Sequence, residues 1–401
     1  MSNNELVVGI DPHRNKCGAF FFCNNIPIKS ITFLNRFKSQ AIYLVSTAES
    51  LAKSHNCNKI VFVIESTNVF WRPLFCFLTS SGYSVFTVNS FQTHNLRKTN
   101  KRKTQTDKID AKTVAQLYLN NKHNTTSLPS GDFFDLRELT RFHSWLTNFA
   151  GVFLNRLFGY LFQVFPEAKD VFGNNLKSAT VFSLIKHNLL NPHELSKVNV
   201  NILATKLKDF SHGRFNLSMA CRLSSAASNS LGLPIGHKAF FPIMKIIVEL
   251  YEFIQSKLSI IEKENVYPIV NQYSNSLSSV KGFSKIQQAS FLSEIGNPNN
   301  FKNANDILAW FGLDPSLRQS GNKSGYGKHI SKAGTKYGRE TMFHVSKSCI
   351  LHTPVVRDKY KKLRKSGISD TEAKILIGAS LVKCFWAMLR DHSNFDPKKF
   401  S

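Results

Sequence analysis

Four acidic residues stand where they could hold divalent cations for chemistry on a phosphodiester. Asp11 and Glu65 each end an apolar run. Asp107 and Asp110 stand three residues apart at the start of an amphipathic segment, so they share one face if that segment is a helix. Mg²⁺ prefers oxygen ligands, and two such ions can activate a water and stabilise the leaving oxygen of a phosphodiester. We therefore predict that all four acids are catalytic and bind Mg²⁺, with two ions per site and Mn²⁺ as a substitute.

Each acid taken alone has a simpler interpretation. Asp11 could cap a strand, Glu65 could be a surface acid, and the other two could belong to a solvated first helical turn favoured by the helix dipole. The four acids make sense together if the strands that end in Asp11 and Glu65 lie side by side. A helix packed across that edge of the sheet would bring Asp107 and Asp110 to the same place.

Basic side chains accompany this acidic pattern. Lysine and arginine number 52 against 26 aspartate and glutamate, a formal charge of +26 over 401 residues. Such an excess favours a polyanionic partner, most often nucleic acid, because neutralising phosphates releases counterions. The alternative is a merely soluble basic protein. The run beside the paired acids is predicted to bind the nucleic-acid backbone through Arg97, Lys98, Lys101, Arg102 and Lys103.

The acids must be positioned by an α/β domain, which we place at residues 1–125. Buried strands are predicted for ELVVGID, CGAFFFC, KIVFVIE and YSVFTVN. Helices are predicted for FKSQAIYLVSTAESLAKSH and for VFWRPLFCFLTSSG, which ends in glycine. The alternation of strands and helices is typical of a sheet covered by helices.

Residues 126–275 are predicted to be almost entirely helical. Two apolar stripes indicate long helices that pair with each other or with another copy of the chain, although ordinary helical core is an equal alternative. The first stripe comprises Leu136, Leu139, His143, Leu146, Ala150, Phe153, Leu157, Tyr160 and Val164. The second comprises Ile243, Ile247, Leu250, Ile254, Leu258 and Ile261.

Residues 276–401 are predicted to form a third, mostly helical domain. The stretch SSVKGFSKIQQASFLSEIG resembles a helix-hairpin-helix whose turn at Gly282 could hold a DNA phosphate, or Gly282 could be a plain turn. A glycine-rich basic loop follows between residues 318 and 339, and such a loop lets the backbone approach phosphate closely. Nucleic-acid contacts are predicted there for Arg318, Lys323, Lys328 and Lys332.

Other classes of protein are disfavoured. The seven cysteines contain no C-x-x-C pair, which argues against a zinc site or a disulfide framework. The N-terminus runs directly into a strand pattern, and the longest apolar runs are far shorter than a membrane span. We therefore expect a reduced cytoplasmic protein without a membrane partner.

Several motifs together resemble the insertion sequence one-ten family of transposases. GIDPHRN, VIESTNVFWRPLFCFLTSSGYSVFTVN and RKTQTDKIDAKTVAQL resemble its DEDD domain, which is related to the Holliday-junction resolvase RuvC. FPEAKDVF and the long stretch from VKGFSKIQQ to KYGRE resemble the linking helices and the C-terminal transposase domain. The resemblance covers nearly the whole chain. It implies a ribonuclease-H-like (RuvC-like) domain, a helical coiled-coil linker that dimerises, and a mostly helical C-terminal domain.

The resemblance also implies a mechanism. Ser320, in RQSGN, corresponds to the family's nucleophile, which exchanges strands through a phosphoserine linkage with the DEDD carboxylates and Mg²⁺. Chemistry from the residues alone does not distinguish it from Ser316, Ser324 or Ser331. The implied partners are donor and target double-stranded DNA and a structured bridge RNA encoded by the element. The acid site of one protomer is implied to face the serine of another, in a dimer or tetramer associated with a bacterial nucleoid.

Two points keep alternatives open. Asn322 stands where family members often have threonine, and His13 could touch a metal-bound phosphate or simply be exposed, which we favour. A RuvC-like, structure-selective endonuclease would need the acids but no serine. A non-catalytic nucleic-acid-binding protein would account for the charge but leave the four acids unexplained.

Overall fold

The structure, a computed structural model, divides the chain into two compact units, residues 1–128 and 129–401. Only the backbone is described for residue 174 and for residues 316–320 and 323–329. The described residues are 4–66, 68–89, 92, 93, 96, 106–120, 128, 131–273, 276–320 and 323–400. The predicted boundaries after residues 125 and 275 stay predictions.

The first unit contains a five-stranded sheet in the order β3-β2-β1-β4-β5. The β1–β2 and β2–β3 pairs are antiparallel, whereas the β1–β4 and β4–β5 pairs are parallel. The strands are β1 (Glu5–Pro12), β2 (Lys16–Cys23), β3 (Ile26–Leu34), β4 (Lys59–Glu65) and β5 (Ser84–Val88). Its described helices are α1 (Lys38–Ser54), α2 (Arg72–Ser80) and α3 (Asp107–Leu119). The mixed sheet with helices confirms the predicted α/β layout.

Both faces of this sheet are buried, which is why β1, β2 and β4 read as continuous apolar runs. Successive side chains of a strand point to opposite faces. Val7 and Val63 lie in the core cluster that includes Ala111 and Val114 of α3. Their sequence neighbours belong to the other cluster, which includes residues of α1 and α2. The face that carries α3 is therefore the face of the odd-numbered residues of β1 and β4.

Strand β3 was not predicted. It pairs only with β2, at the edge of the sheet, and most of its residues are exposed or half-buried. Pro27 lies within it, and proline is tolerated in edge strands because the missing N–H faces away from the ladder. An edge strand with little burial has no continuous apolar run, so its pattern does not stand out in the sequence.

Two long helices organise the first part of the second unit. They are α4 (Asp132–Val164) and α10 (His237–Ile260), which continues through a π-helix, Ile261–Val266. They pack antiparallel, since His143 meets Glu262 at one end and Tyr160 stacks near Phe240 at the other. The predicted pairing of the two stripes therefore occurs within one chain. Between them lie α5 (Ala168–Phe172), α6 (Ala179–Lys186), α7 (Pro192–Leu195), α8 (Val200–Phe210) and α9 (Leu217–Ser228).

The remainder of the second unit is mostly helical, as predicted, and packs around Phe283, Phe291, Phe311 and Phe385. After α11 (Tyr267–Tyr273) its helices are α12 (Lys285–Ile295), α13 (Ala304–Phe311), α14 (Lys336–His352), α15 (Pro354–Lys365), α16 (Asp370–Arg390) and α17 (Pro397–Phe400). Its strands are β6 (Pro315–Ser320) and β7 (Lys323–Ile330). No helix among the described residues is long and apolar enough to cross a bilayer.

Two local expectations need correction. The glycine-rich basic segment is largely not a loop, because β6 and β7 pair as an antiparallel hairpin. The helix expected before Gly282 is a single 3₁₀ turn, Leu277–Ser279, and only the second helix of the predicted pair, α12, is regular. The hairpin forms because two neighbouring strands pair with each other. The turn at Gly282 packs against Ser348 and is bonded to Thr353, which local sequence patterns do not report.

Candidate active site

Asp11 and Glu65 lie side by side. In the parallel β1–β4 register Ile10 pairs with Ile64, so each acid is the next residue along its strand. Both are odd-numbered and therefore point to the face that α3 covers. They are 6% and 5% exposed, which makes them two of the few acids buried in the first unit. The predicted juxtaposition of these strands is confirmed.

The other two acids stand at the beginning of α3. Thr106 caps the helix by accepting a hydrogen bond from the backbone N–H of Ile109. Asp107 and Asp110 follow in the first turn, where the unpaired N–H groups and the helix dipole favour negative charge. Asp110 is half-buried, whereas the side chain of Asp107 is 50% exposed.

Two glycines let α3 approach the strands closely. A Cβ atom on Gly9 would stand 2.3 Å from the carbonyl oxygen of Ala111, and one on Gly18 would stand 2.7 Å from that of Asp107. Gly18 is also the register partner of Asp11. Glycine inside a strand often marks such a close approach, so this signal was present in the sequence. The absence of two Cβ atoms thus sets the start of α3 beside Asp11.

His13 lies against the acids. Its Nε2 atom is 3.2 Å from Oδ2 of Asp11 and 3.7 Å from Oδ1 of Asp107. The side chain is 56% exposed, as expected, but the expectation that it is simply exposed was wrong. Its position two residues after the first acid, in the turn between β1 and β2, was the signal that could have indicated this placement.

The remaining contacts describe the electrostatics of the site. The Thr93 hydroxyl donates a hydrogen bond of 3.2 Å to Oε1 of Glu65. Burial raises the pKa of the nearby Cys17 thiol to about 12, and the charge of Asp11 adds to this effect. Cys17 therefore stays protonated at neutral pH and is not a nucleophile.

The residues present fit a divalent cation by their chemistry. Asp11 and Glu65 are adjacent buried carboxylates, and Asp107 lies within reach of the same imidazole as Asp11. Carboxylate oxygens are the ligands that Mg²⁺ and Mn²⁺ prefer. Within the described ranges no group of three or more His, Cys, Asp or Glu side chains is arranged as a metal site. The described side chains therefore supply suitable ligand types without forming a closed ligand set.

The predicted basic residues beside the acids lie outside the described part of the chain. This holds for Arg97, Lys98, Lys101, Arg102 and Lys103.

Ser320 is the last residue of β6 and pairs with Lys323 across the hairpin. For Arg318, Ser320, Lys323 and Lys328 the structure describes the backbone alone. Lys332 lies just beyond the hairpin with a φ of +56°. These five positions share one basic hairpin and its exit, where the sequence predicted a basic loop.

The base of this hairpin is tied to the end of α13. The Ser331 hydroxyl donates a hydrogen bond to the Asp314 carboxylate, and the Lys332 N–H donates to the Gly312 carbonyl at 3.1 Å. Arg339 donates to the carbonyl oxygens of Phe311 and Gly334, at 3.2 and 2.8 Å. Burial lowers the pKa of Arg339, whose hydrogen bonds go to backbone carbonyls. Hydrogen bonds therefore hold the base of the hairpin to the residues that follow α13.

Gly282 forms a tight turn before α12. Its φ is +87°, and a Cβ atom there would stand 2.8 Å from the carbonyl oxygen of Ser348. The neighbouring Lys281 carbonyl accepts a hydrogen bond of 2.6 Å from the Thr353 hydroxyl. Lys281 and Lys285 are exposed on either side of the turn. Glycine is required here by conformation and by packing, whatever the turn binds.

Comparisons with known proteins identify the class. A family model described as a transposase matches residues 8–166, and one described as the transposase IS116/IS110/IS902 family matches residues 274–361. The chain is 23% identical over 330 residues to the insertion element IS116 uncharacterized 44.8 kDa protein of Streptomyces clavuligerus, across 81% of each chain. It is 26% identical over 122 residues to the insertion element IS110 uncharacterized 43.6 kDa protein of Streptomyces coelicolor, across 30% of each chain.

The two matched modules define a DNA transposase, an enzyme that cleaves and rejoins DNA. DEDD transposases generally use divalent metal ions and act on DNA. The chain belongs to the IS110/IS116 family of insertion-element transposases.

Proposed function

We propose that this chain excises and inserts the DNA of its insertion sequence with a divalent-metal site and a serine nucleophile. The observation that carries the proposal is that two acids end adjacent strands and the other two begin the helix packed on the same face of the sheet. Asp11 and Glu65 stand together at the buried ends of β1 and β4, under the helix turn that bears Asp107 and Asp110. The sheet order, with β4 and β5 parallel to β1, is consistent with a ribonuclease-H-like, RuvC-like domain.

Divalent cations held by the four acids would polarise the phosphodiester and stabilise charge on the leaving oxygen. Mg²⁺ is the proposed ion, two per site, with Mn²⁺ as a substitute. The chain's own contribution is to bury Asp11 and Glu65 and to hold Asp107 and Asp110 on the first turn of α3. Burial of Asp11 and Glu65 strengthens their attraction for a cation, because screening by water is weak there.

Ser320 is the proposed nucleophile. Its Oγ would form a bond to phosphorus while one phosphorus–oxygen bond of the backbone breaks, and the serine proton would end on the released hydroxyl. A hydroxyl end from another strand would then attack the phosphoserine and restore Ser320. The bond count is unchanged, so rejoining needs no external energy source. A weak nucleophile such as serine needs activation, and the acid site of another protomer is proposed to supply it.

Nucleic acid is proposed to be held by basic segments in both units. In the second unit they are Arg318, Lys323, Lys328 and Lys332 on the hairpin, and the turn at Gly282, flanked by exposed lysines. In the first unit they are Arg97, Lys98, Lys101, Arg102 and Lys103, before α3. A bridge RNA is proposed to select donor and target DNA, because base pairing can supply sequence specificity while the protein holds the backbone.

Self-association is proposed through the outer faces of the paired long helices. On α4, Phe142, Trp145 and Phe149 are 41% to 54% exposed and stack on one another, with ring centroids 5.5 and 5.6 Å apart. On α10, Ile246 and Phe253 are 53% and 58% exposed. A row of large apolar side chains left in water is typical of a protein interface. A dimer or tetramer would cover them.

An excision assay in a bacterial host tests this function. The gene is supplied beside its native flanking DNA, and polymerase chain reaction across the joined ends detects the circular junction. Wild type is expected to yield the circle, and Asp11→Ala and Ser320→Ala are expected to yield none. A circle from Ser320→Ala would contradict the serine nucleophile and favour a metal-only, RuvC-like endonuclease. A circle from Asp11→Ala would contradict the acid site itself.

A further inference from the structure

The turn that carries His13 is fixed independently of its side chain. The backbone N–H of His13 donates to the Lys16 carbonyl at 3.0 Å and closes the turn between β1 and β2. The Asn35 side chain donates to the His13 carbonyl at 2.9 Å and to the Phe70 carbonyl at 3.0 Å. Hydrogen bonds within the turn and to Asn35, which also bonds to Phe70, therefore fix the backbone of His13. The fixed backbone sets the direction in which the imidazole projects.

From this turn the imidazole edge reaches two carboxylates on different elements. Nε2 lies 3.2 Å from Asp11 on β1 and 3.7 Å from Asp107 on α3. An Nε2–H group can donate to the nearer oxygen, on Asp11, while the same ring edge stays 3.7 Å from the oxygen of Asp107. Two carboxylates brought this close to one atom would otherwise repel each other.

We infer that His13 is a positioning residue of the acid site, which orients the carboxylates of Asp11 and Asp107 toward one another so that a single divalent cation can be bound by both. The inference rests on the proposed function, since it takes these acids as metal ligands. Hydrogen-bond partners of metal-binding side chains commonly set the orientation of those ligands, and their loss typically weakens metal affinity roughly 10- to 100-fold. His13 has the reach and the fixed base that such a role requires.

Binding of Mn²⁺ to the purified full-length protein tests the inference without any reaction. The free aquo ion is measured by electron paramagnetic resonance during titration. His13→Leu removes the donor, whereas His13→Gln retains an N–H near the position of Nε2. His55→Leu is the matched control, because His55 is exposed at the end of α1 in the same unit. Thermal unfolding of each variant confirms that it is folded.

The expected result is Mn²⁺ binding weakened roughly 10- to 100-fold in His13→Leu, largely restored in His13→Gln and unchanged in His55→Leu. Unchanged or tighter binding in His13→Leu would overturn the positioning role. Asp11→Asn separates this failure from failure of the proposed function. If Asp11→Asn loses Mn²⁺ while His13→Leu does not, only the role of His13 is wrong. If neither variant loses Mn²⁺, the metal site is wrong as well.

Discussion

Gly18 lies against the main chain of Asp107, so closely that a Cβ atom on Gly18 would stand 2.7 Å from the Asp107 carbonyl oxygen. The same glycine faces Asp11 in the register of β1 and β2. Together with Gly9 on β1, this glycine on β2 lets the helix that carries the last two acids approach the strand pair that carries the first.

Gly18→Ala is expected to disturb the acid site without changing any acid. The added methyl group must push the start of α3 away from β2, and overpacking of this kind costs about 1–3 kcal/mol. We expect excision to fall at least about tenfold, because misplacing a catalytic group by about 1 Å can cost 10²-fold. Junction formation and urea unfolding are the measurements. Gly151→Ala is the control, since nothing lies within 4 Å of a Cβ there. Equal activity in both variants would contradict the proposed spacing.

Arg141→Met is expected to destabilise the second unit by about 3 kcal/mol, because it leaves the carboxylate of Glu294 buried and uncompensated. Glu294 is 1% exposed and accepts hydrogen bonds from Arg141 at 2.8 and 3.0 Å and from Thr335 at 2.7 Å. Burial opposes the charge of Arg141, but its bonds to Glu294 outweigh this and raise the pKa of the guanidinium.

The free energy of unfolding in urea measures this effect. The control is Lys197→Met, which removes an exposed pair with Glu194 at 3.9 Å and is expected to change stability by less than about 1 kcal/mol. If the two substitutions cost the same, the Arg141–Glu294 pair is not holding α4 to α12.

Glu167 is expected to make stability depend on pH in the acid range. Burial would raise the pKa of this carboxyl, but the Ser230 hydroxyl and the Leu231 N–H donate to it at 2.6 and 2.9 Å and hold its pKa below the ordinary 4.5. Because the folded pKa is depressed, the stabilisation is complete above pH 4.5 and is lost as pH falls through the folded pKa.

Glu167→Gln tests this dependence, since glutamine resembles the protonated acid. We expect the variant to be less stable than wild type by about 1 kcal/mol at pH 7, with the difference shrinking below pH 4.5. Unfolding of both proteins is compared at several pH values. Glu194→Gln, at an exposed position, is expected to show no such trend. A difference that stayed constant with pH would exclude the hydrogen-bonded carboxylate as its source.

Trp145→Glu is expected to weaken self-association by more than about tenfold, because a charge would replace an aromatic anchor in the proposed interface. Sedimentation velocity over a range of protein concentrations measures the change. Thr147→Glu adds the same charge at an exposed position of the same helix, away from the aromatic row, and is expected to leave association unchanged. Wild type that stays monomeric at all concentrations would contradict the interface.

Much of the first unit could be predicted from local patterns. Strands β1, β2 and β4 are buried on both faces and read as apolar runs, and β5 is rich in β-branched and aromatic residues, so all four were recognised. The pattern of strand ends indicated that Asp11 and Glu65 would meet. The two apolar stripes of the long helices were recognised by their spacing. These features depend on residues near one another in sequence, where the periodicity of a strand or helix is visible.

Other features were decided by pairing and packing that a single segment does not show. Strand β3 and strand β6 form by pairing with a neighbouring strand, and neither of them carries a continuous apolar run. The exposed row of Phe142, Trp145 and Phe149 lies outside the predicted stripe of α4, and only the packing of whole helices decided that it stays uncovered within one chain.

The acid site shows the same division. The sequence by itself determined the four carboxylates, their order and the elements that bear them. The tertiary structure alone decided that His13 reaches both Asp11 and Asp107, because that depends on the turn held by Asn35 and on the close approach of α3 over Gly18. Residue types indicate which chemistry is possible, and their spacing indicates helix or strand. The distance between two side chains depends on how whole elements pack.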